Sequence, residues 1–125
     1  MKKKLQQKKG YQFLPLLKLL EQSEIVICCL NKNTVLLHQK EFDHLGNHKI
    51  IFNVGLSPAW EMHPFEKWLS NDSNLCFCDS LEALGNKSLL DHSSVRCMNI
   101  SAGRTRQAFD RLSEKVIQNL SEHNG

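Results

Sequence analysis

Residues 49–69 read KIIFNVGLSPAWEMHPFEKWL, and they pass from a buried-type strand through a tight polar turn into an amphipathic helix. Ile50, Ile51 and Phe52 suit the strand, and Phe65, Trp68 and Leu69 fall on one face of the helix at helical spacing. This is one β-turn-α unit, and similar units flank it. Repetition of that unit builds a parallel sheet covered by helices, and open sheets of this kind bind ligands at the carboxyl ends of their strands. The turn Asn53-Val54-Gly55-Leu56-Ser57-Pro58 is therefore expected to face any ligand.

Working outward toward the N-terminus, Glu24 to Leu30 is a continuous apolar, β-branched run closed by Asn31-Lys32-Asn33, as expected for a central parallel strand. Before it, Pro15 fits the first turn of a helix through Leu16, Leu17, Leu19 and Leu20 that stops near Gln22-Ser23. Tyr11-Gln12-Phe13 is long enough for a very short strand. Between the two strands, the second half of Thr34 to Leu45 reads as helix, with Leu37, Phe42 and Leu45 available to pack, His38 and His44 at the surface, and Gly46-Asn47 as a stop.

Toward the C-terminus, Asn71-Asp72-Ser73 turns the chain back and Leu75 to Asp79 reads as another strand, with Asp79 at the end where a charged group can face a ligand. Residues 80–94 read as a loop carrying one helical turn, and Val95 to Ile100 as a last short strand. Ser101-Ala102-Gly103-Arg104 leads into the clearest helix, which Thr105 can cap and along which Phe109, Leu112, Val116, Ile117 and Leu120 form one apolar stripe. The alternation of strand and helix favours one α/β domain over separate domains.

Composition narrows the function. The 125 residues suit one domain, the 41% hydrophobic and 23% charged content is that of an ordinary globular protein, and no apolar run reaches the ~20 residues that cross a bilayer. The apolar stretch from Phe13 to Leu20 is broken by Pro15 and Lys18, unlike a secretory signal, so a cytoplasmic chain is expected. The net charge of +3 comes largely from Lys2, Lys3, Lys4, Lys8 and Lys9, and residues 1–10 are taken as a solvated basic start rather than a nucleic-acid site.

The five cysteines lie in strand-like runs, where the thiol acts as a small buried hydrophobe; Cys28 and Cys29 should point to opposite sheet faces and Cys76 and Cys78 to the same one. No Cys-x-x-Cys pair is present, and no metal site is expected. The six glycines are too scattered for Gly-x-Gly-x-x-Gly or a P-loop, so the chain has no local cradle for a pyrophosphate. Trp60 and Trp68 are expected in the core, His63 in a turn before Pro64, and Ser57 lacks a histidine at triad-like local spacing.

The order of several motifs resembles the D-isomer-specific 2-hydroxyacid dehydrogenases, in the later part of their NAD-binding domain. The residues that carry the resemblance are Leu16-Leu17-x-Leu19-Leu20-x-x-Ser23-Glu24-Ile25-Val26, Lys49-Ile50-Ile51-Phe52-Asn53, Cys78-Asp79, and Gly103-x-Thr105 opening the last helix. The resemblance implies a partial Rossmann-like, three-layer α/β fold over residues 11–121, with a mostly parallel sheet, helices on both faces, and Tyr11-Gln12-Phe13 as its third strand. It also implies that the glycine loop and the substrate domain are missing by truncation.

By the same resemblance the chain is similar to an NAD(P)-dependent oxidoreductase acting on CH-OH groups. NAD or NADP is the implied cofactor, and Asn53, Val54, Gly55 and Asp79 are the implied cofactor-contacting residues. Asp79 can bond a nicotinamide amide or simply cap a loop, since both roles use an acceptor at a strand end. The family's substrate-binding arginine falls on Leu56, its catalytic glutamate on Leu84, with Glu82 two positions away, and its histidine on Ile100. A cation to orient the carboxylate and an acid/base for the hydroxyl proton are both lost, so autonomous catalysis is not expected. The alternative is a non-enzymatic module that pairs through an exposed sheet edge with a second copy or a complementing chain, because in the family's strand order the strand beside Ile25 to Leu30 would be missing.

Overall fold

The computed structural model describes residues 12–100 and 105–124. Four short strands form one parallel sheet in the order β1 (Ile25–Cys28), β2 (Ile50–Asn53), β3 (Leu75–Cys78) and β4 (Val95–Cys97). Helices α1 (Leu16–Gln22), α2 (Gln39–Leu45) and α3 (Met62–Leu69) alternate with the first three strands. The expected α/β class, a Rossmann-like parallel sheet with its helices, is what the chain adopts.

Strand register explains which side chains form the core. Val26, Ile51, Cys76 and Val95 lie in one cross-strand row, and Cys28, Asn53, Cys78 and Cys97 in the next row of the same face. Ile51 and Cys76 are wholly buried there, against Phe42, Phe65, Trp68 and Leu69 of α2 and α3. Phe65, Trp68 and Leu69 make the inward stripe read from the sequence, and Trp60 stacks on Phe65 with ring centroids 4.0 Å apart. Both tryptophans are core residues, and the Trp68 indole N–H donates to Gly46 O at 2.9 Å.

The opposite face carries Ile25, Ile27, Ile50, Phe52, Leu75 and Phe77, where Phe52 stacks on Phe77 at 4.8 Å. Here the expectation for β1 needs correction. A central strand should be buried on both sides, but β1 is the outer strand among the described residues, and Ile25 and Ile27 are 53% and 64% exposed. Its uniform apolarity reports what both faces are suited to bury, not what one chain covers.

Other differences are local. Gln12 and Phe13 have no regular structure, and Tyr11 lies outside the described residues, as do the lysines of the basic start and Ser101 to Arg104. The strands are shorter than read, β3 ending at Cys78 and β4 at Cys97. Residues 80–94 hold more helix than one turn: α4 (Leu81–Leu84) is capped by Ser80 Oγ, and a 3-10 helix at Lys87–Asp91 is capped by Asn86. His63 sits in the first turn of α3 rather than ahead of it. The last helix, α5 (Arg106–Asn124), is capped as expected by Thr105, whose Oγ1 accepts from Ala108 N–H at 3.0 Å. Its apolar stripe, however, is uncovered, each of its five residues being 48% to 64% exposed.

His38 and His44 are surface-side residues that hydrogen-bond to carboxyl groups, Glu41 at 3.1 Å and Glu21 at 2.6 Å. The His38 backbone N–H, closing the start of α2 onto Glu41, holds that carboxyl below its usual range.

The cysteines follow the strand alternation. Cys28, Cys76 and Cys78 are buried on one face, Cys29 is exposed, and the sulfurs of Cys76 and Cys78 are 3.8 Å apart. Burial pushes the Cys28 thiol up to about 11. The Cys76 thiol is raised too, chiefly by its hydrogen bond with Cys78 and then by burial. These thiols are inert fillers of the core. Alkylation with iodoacetamide at pH 8 should modify Cys29 readily and spare Cys28 and Cys76 until the protein unfolds, as peptide mass mapping would read out. A thiol held protonated in the folded state above its unfolded pKa stabilises below the unfolded value and loses that contribution as pH rises through the folded one. Stability should therefore fall between pH 9 and about pH 11.

Candidate functional site

The carboxyl ends of the four strands open onto one cleft of about 440 Å³, within the size range of small-molecule sites. Gly55 and Leu56 line it from the loop after β2, Asp79 and Ser80 from the end of β3, and Glu82 from α4. Lys32 closes it from the loop after β1, and Asn99 from the segment after β4. The expected turn is therefore at the ligand-facing end of the sheet.

Asn53 organises that turn from beneath. Its side chain is fully buried; Nδ2 donates to Ser57 O at 3.1 Å and to Ala83 O at 2.9 Å, while Oδ1 accepts from Gly55 N–H at 3.0 Å. One amide thus binds the loop after β2 to α4, the two walls of the cleft. Val54 N–H donates to Cys28 O at 3.1 Å, and Ser57 Oγ accepts from Asn33 N–H at 2.7 Å, which fastens the same turn to β1 and its loop. A side chain at Gly55 would meet Asn53 Oδ1 at 3.1 Å and Leu30 O at 3.3 Å, so the close approach of the buried amide and of the loop after β1 favours glycine there.

Of the four residues that the resemblance marks, Gly55 and Asp79 line the cleft, Val54 is 39% exposed, and Asn53 is committed to its internal bonds. Asp79 also holds the far wall, since its backbone carbonyl accepts from Ile100 N–H at 2.6 Å. Leu56, 63% exposed, places an alkyl group on the rim where the resemblance calls for a cation.

The sequence did not point to Lys32 or Asn99. Both belong to irregular segments, and their positions depend on residues with left-handed backbone, Asn33 at φ 63° and Asn99 itself at φ 56°. Asn99 Oδ1 accepts from Leu81 N–H at 3.2 Å, joining the segment after β4 to α4. The only hint was the Asn31-Lys32-Asn33 cluster, since asparagine tolerates the left-handed region better than most residues.

Among the described residues the cleft presents one cation, Lys32, and two carboxylates, Asp79 and Glu82, together with hydroxyl and amide groups. Among the described residues no histidine lines it, and no group of three or more His, Cys, Asp or Glu side chains is placed to hold a metal ion. No described helix is long and apolar enough to cross a membrane.

No protein family's sequence profile and no curated protein matches the chain. Solved structures do. A D-isomer-specific 2-hydroxyacid dehydrogenase, NAD-binding, from Polaromonas sp. JS6 66 superposes with a TM-score of 0.81 at 13% identity, over 94% of this chain and 39% of that one. The chain has the fold of the NAD-binding part of D-isomer-specific 2-hydroxyacid dehydrogenases. D-lactate dehydrogenase of Escherichia coli matches with a TM-score of 0.74 at 22% identity, over 94% and 39% of the two chains. An NADPH-dependent glyoxylate/hydroxypyruvate reductase of Sinorhizobium meliloti gives 0.73 at 20% identity, over 90% and 37%. This chain therefore spans about 40% of the length of the dehydrogenases whose fold it shares.

Proposed function

We propose that the chain is a partial NAD-binding domain of dehydrogenase type that holds the nicotinamide end of NAD or NADP in the cleft without turning over a substrate by itself. The observation that supports this is the position of Asp79: an acceptor at the carboxyl end of a parallel strand, on the wall of a ligand-sized cleft, facing the loop of Gly55. The residues suit that end of the cofactor. Asp79 can accept from a carboxamide, and Gly55 lines the same cleft. NAD(P), when bound, supplies the hydride chemistry; the chain's own residues bind and orient it.

The rest of the site argues against turnover. Leu56 cannot orient a carboxylate, and the sequence has no Gly-x-Gly-x-x-Gly loop for the pyrophosphate. Binding should accordingly be weak, with a Kd of about 1 mM. Isothermal titration with NAD and with NADP checks this. Heat at millimolar concentrations that disappears in Asp79→Ala supports the nicotinamide role, and absence of heat with both cofactors would end it.

A second reading rests on a different observation, the exposure of Ile25 and Ile27 on the outer strand β1. In it the chain is a non-enzymatic interaction module that pairs with another chain through this exposed sheet edge.

A further inference from the structure

Lys32 is the one cation that lines the cleft among the described residues, and the nicotinamide role leaves it without a task. It is not engaged elsewhere: among the described residues its ammonium has no hydrogen bond or ion pair. Its backbone is fixed all the same. Thr34 N–H donates to Asn31 O at 3.2 Å across a tight turn in which Asn33 takes φ 63°, and Asn33 N–H donates to Ser57 Oγ at 2.7 Å. The turn after β1 is thus fastened to the turn after β2, and it presents Lys32 to the cleft.

We propose, resting on the nicotinamide role above, that the cleft prefers a nicotinamide mononucleotide to a dinucleotide, with the ammonium of Lys32 on its terminal phosphate. The spacing suits such a ligand. Lys32 follows β1 and Asp79 follows β3, two strands apart in the sheet, so the strand ends from which they arise are about 10 Å apart. A nicotinamide ribotide has a comparable length from carboxamide to phosphate, so one small molecule can meet both groups.

Charge and size favour the half over the whole. A phosphate monoester carries about 1.5–2 negative charges at pH 7, whereas each phosphate of a pyrophosphate diester carries a single one. A lone lysine therefore attracts the monoester more strongly. A second phosphate would find no further cation among the described cleft residues and would share the space with Asp79 and Glu82. The volume of about 440 Å³ lies in the lower half of the range for small-molecule sites, about 300–1,000 Å³. The adenylate half gains nothing from a glycine cradle, since the sequence has none.

Amide chemical-shift titration of the full chain with nicotinamide mononucleotide, NAD, nicotinamide riboside and AMP tests this, in the parent, Lys32→Met and Lys32→Arg. The parent should bind the mononucleotide about 3-fold more tightly than NAD and about 10-fold more tightly than the riboside, which has the same ring and sugar but no phosphate. Lys32→Met keeps the length of the side chain and removes its charge. Affinity for the mononucleotide should then fall about 10-fold, to that of the riboside, while the riboside's own affinity should not move. Lys32→Arg should retain the binding. Lys32 is exposed, so thermal melts of both variants should match the parent, and the ligand series on the parent alone already decides the preference.

If NAD binds as tightly as the mononucleotide or more so, the adenylate half has a site of its own; the preference falls and the nicotinamide role stands. If Lys32→Met weakens mononucleotide and riboside alike, or weakens neither, Lys32 does not hold the phosphate, and again only this assignment is lost. AMP binding as tightly as the mononucleotide would reduce the cleft to a general phosphate site with no use for the nicotinamide ring. Shifts with none of the four ligands would end both readings of the cleft.

Discussion

Asn53→Ala is expected to destabilise the protein by about 2–6 kcal/mol, and to do so by uncoupling the two walls of the cleft. The side chain is wholly enclosed and serves three backbone groups, donating to Ser57 O and Ala83 O and accepting from Gly55 N–H. Removing it leaves Ala83 O buried with no replacement, at about 1–3 kcal/mol, and takes a bond of about 0.5–1.5 kcal/mol from each of two partly buried groups, Ser57 O and Gly55 N–H. Asn53→Leu, which restores volume but no hydrogen bond, should recover little. Asn53→Asp should be as harmful as alanine, since it keeps the acceptor for Gly55 N–H, loses both donors, and adds a charge in a closed site. Urea unfolding of the three variants checks this. A loss below about 1 kcal/mol for alanine would mean that water replaces the amide and that Asn53 does not organise the site.

How far this was legible in the sequence depends on the distance over which each feature is encoded. β2, its turn and α3 were readable because their signals are local: the apolar run Ile50, Ile51 and Phe52, turn residues at Gly55 to Pro58, and Phe65, Trp68 and Leu69 at helical spacing. The role of Asn53 was not readable, although the residue was marked. Its most telling partner, Ala83, is 30 positions away on a helix of four residues, too short to show periodicity.

Lys32 and Asn99 escaped for a related reason: loop backbones with positive φ bring them to the cleft, and composition does not say where a loop points. The apolar runs of β1 and α5 were each read correctly as strand and helix. What covers them is not a local property, and among the described residues both are left largely exposed.

Gly85→Ala is expected to cost about 2–5 kcal/mol, for two reasons that can be separated. Gly85 ends α4 in the left-handed conformation at φ 88°, where a residue with a Cβ is disfavoured by about 1–2 kcal/mol. A Cβ there would also overlap the ring of Pro58 and sit 3.0 Å from Met62 Cε. Pro58 closes the turn after β2 and α4 carries Glu82, so the overlap would push apart the same two walls that Asn53 holds together. Overpacking of this kind costs about 1–3 kcal/mol beyond the backbone term. A double-mutant cycle with Pro58→Ala isolates it. Shortening the ring should return most of the steric part and none of the conformational part, giving a coupling of about 1–2 kcal/mol. Additive effects would show that the loop yields freely, and the cleft would then be a softer structure than the bonds of Asn53 imply.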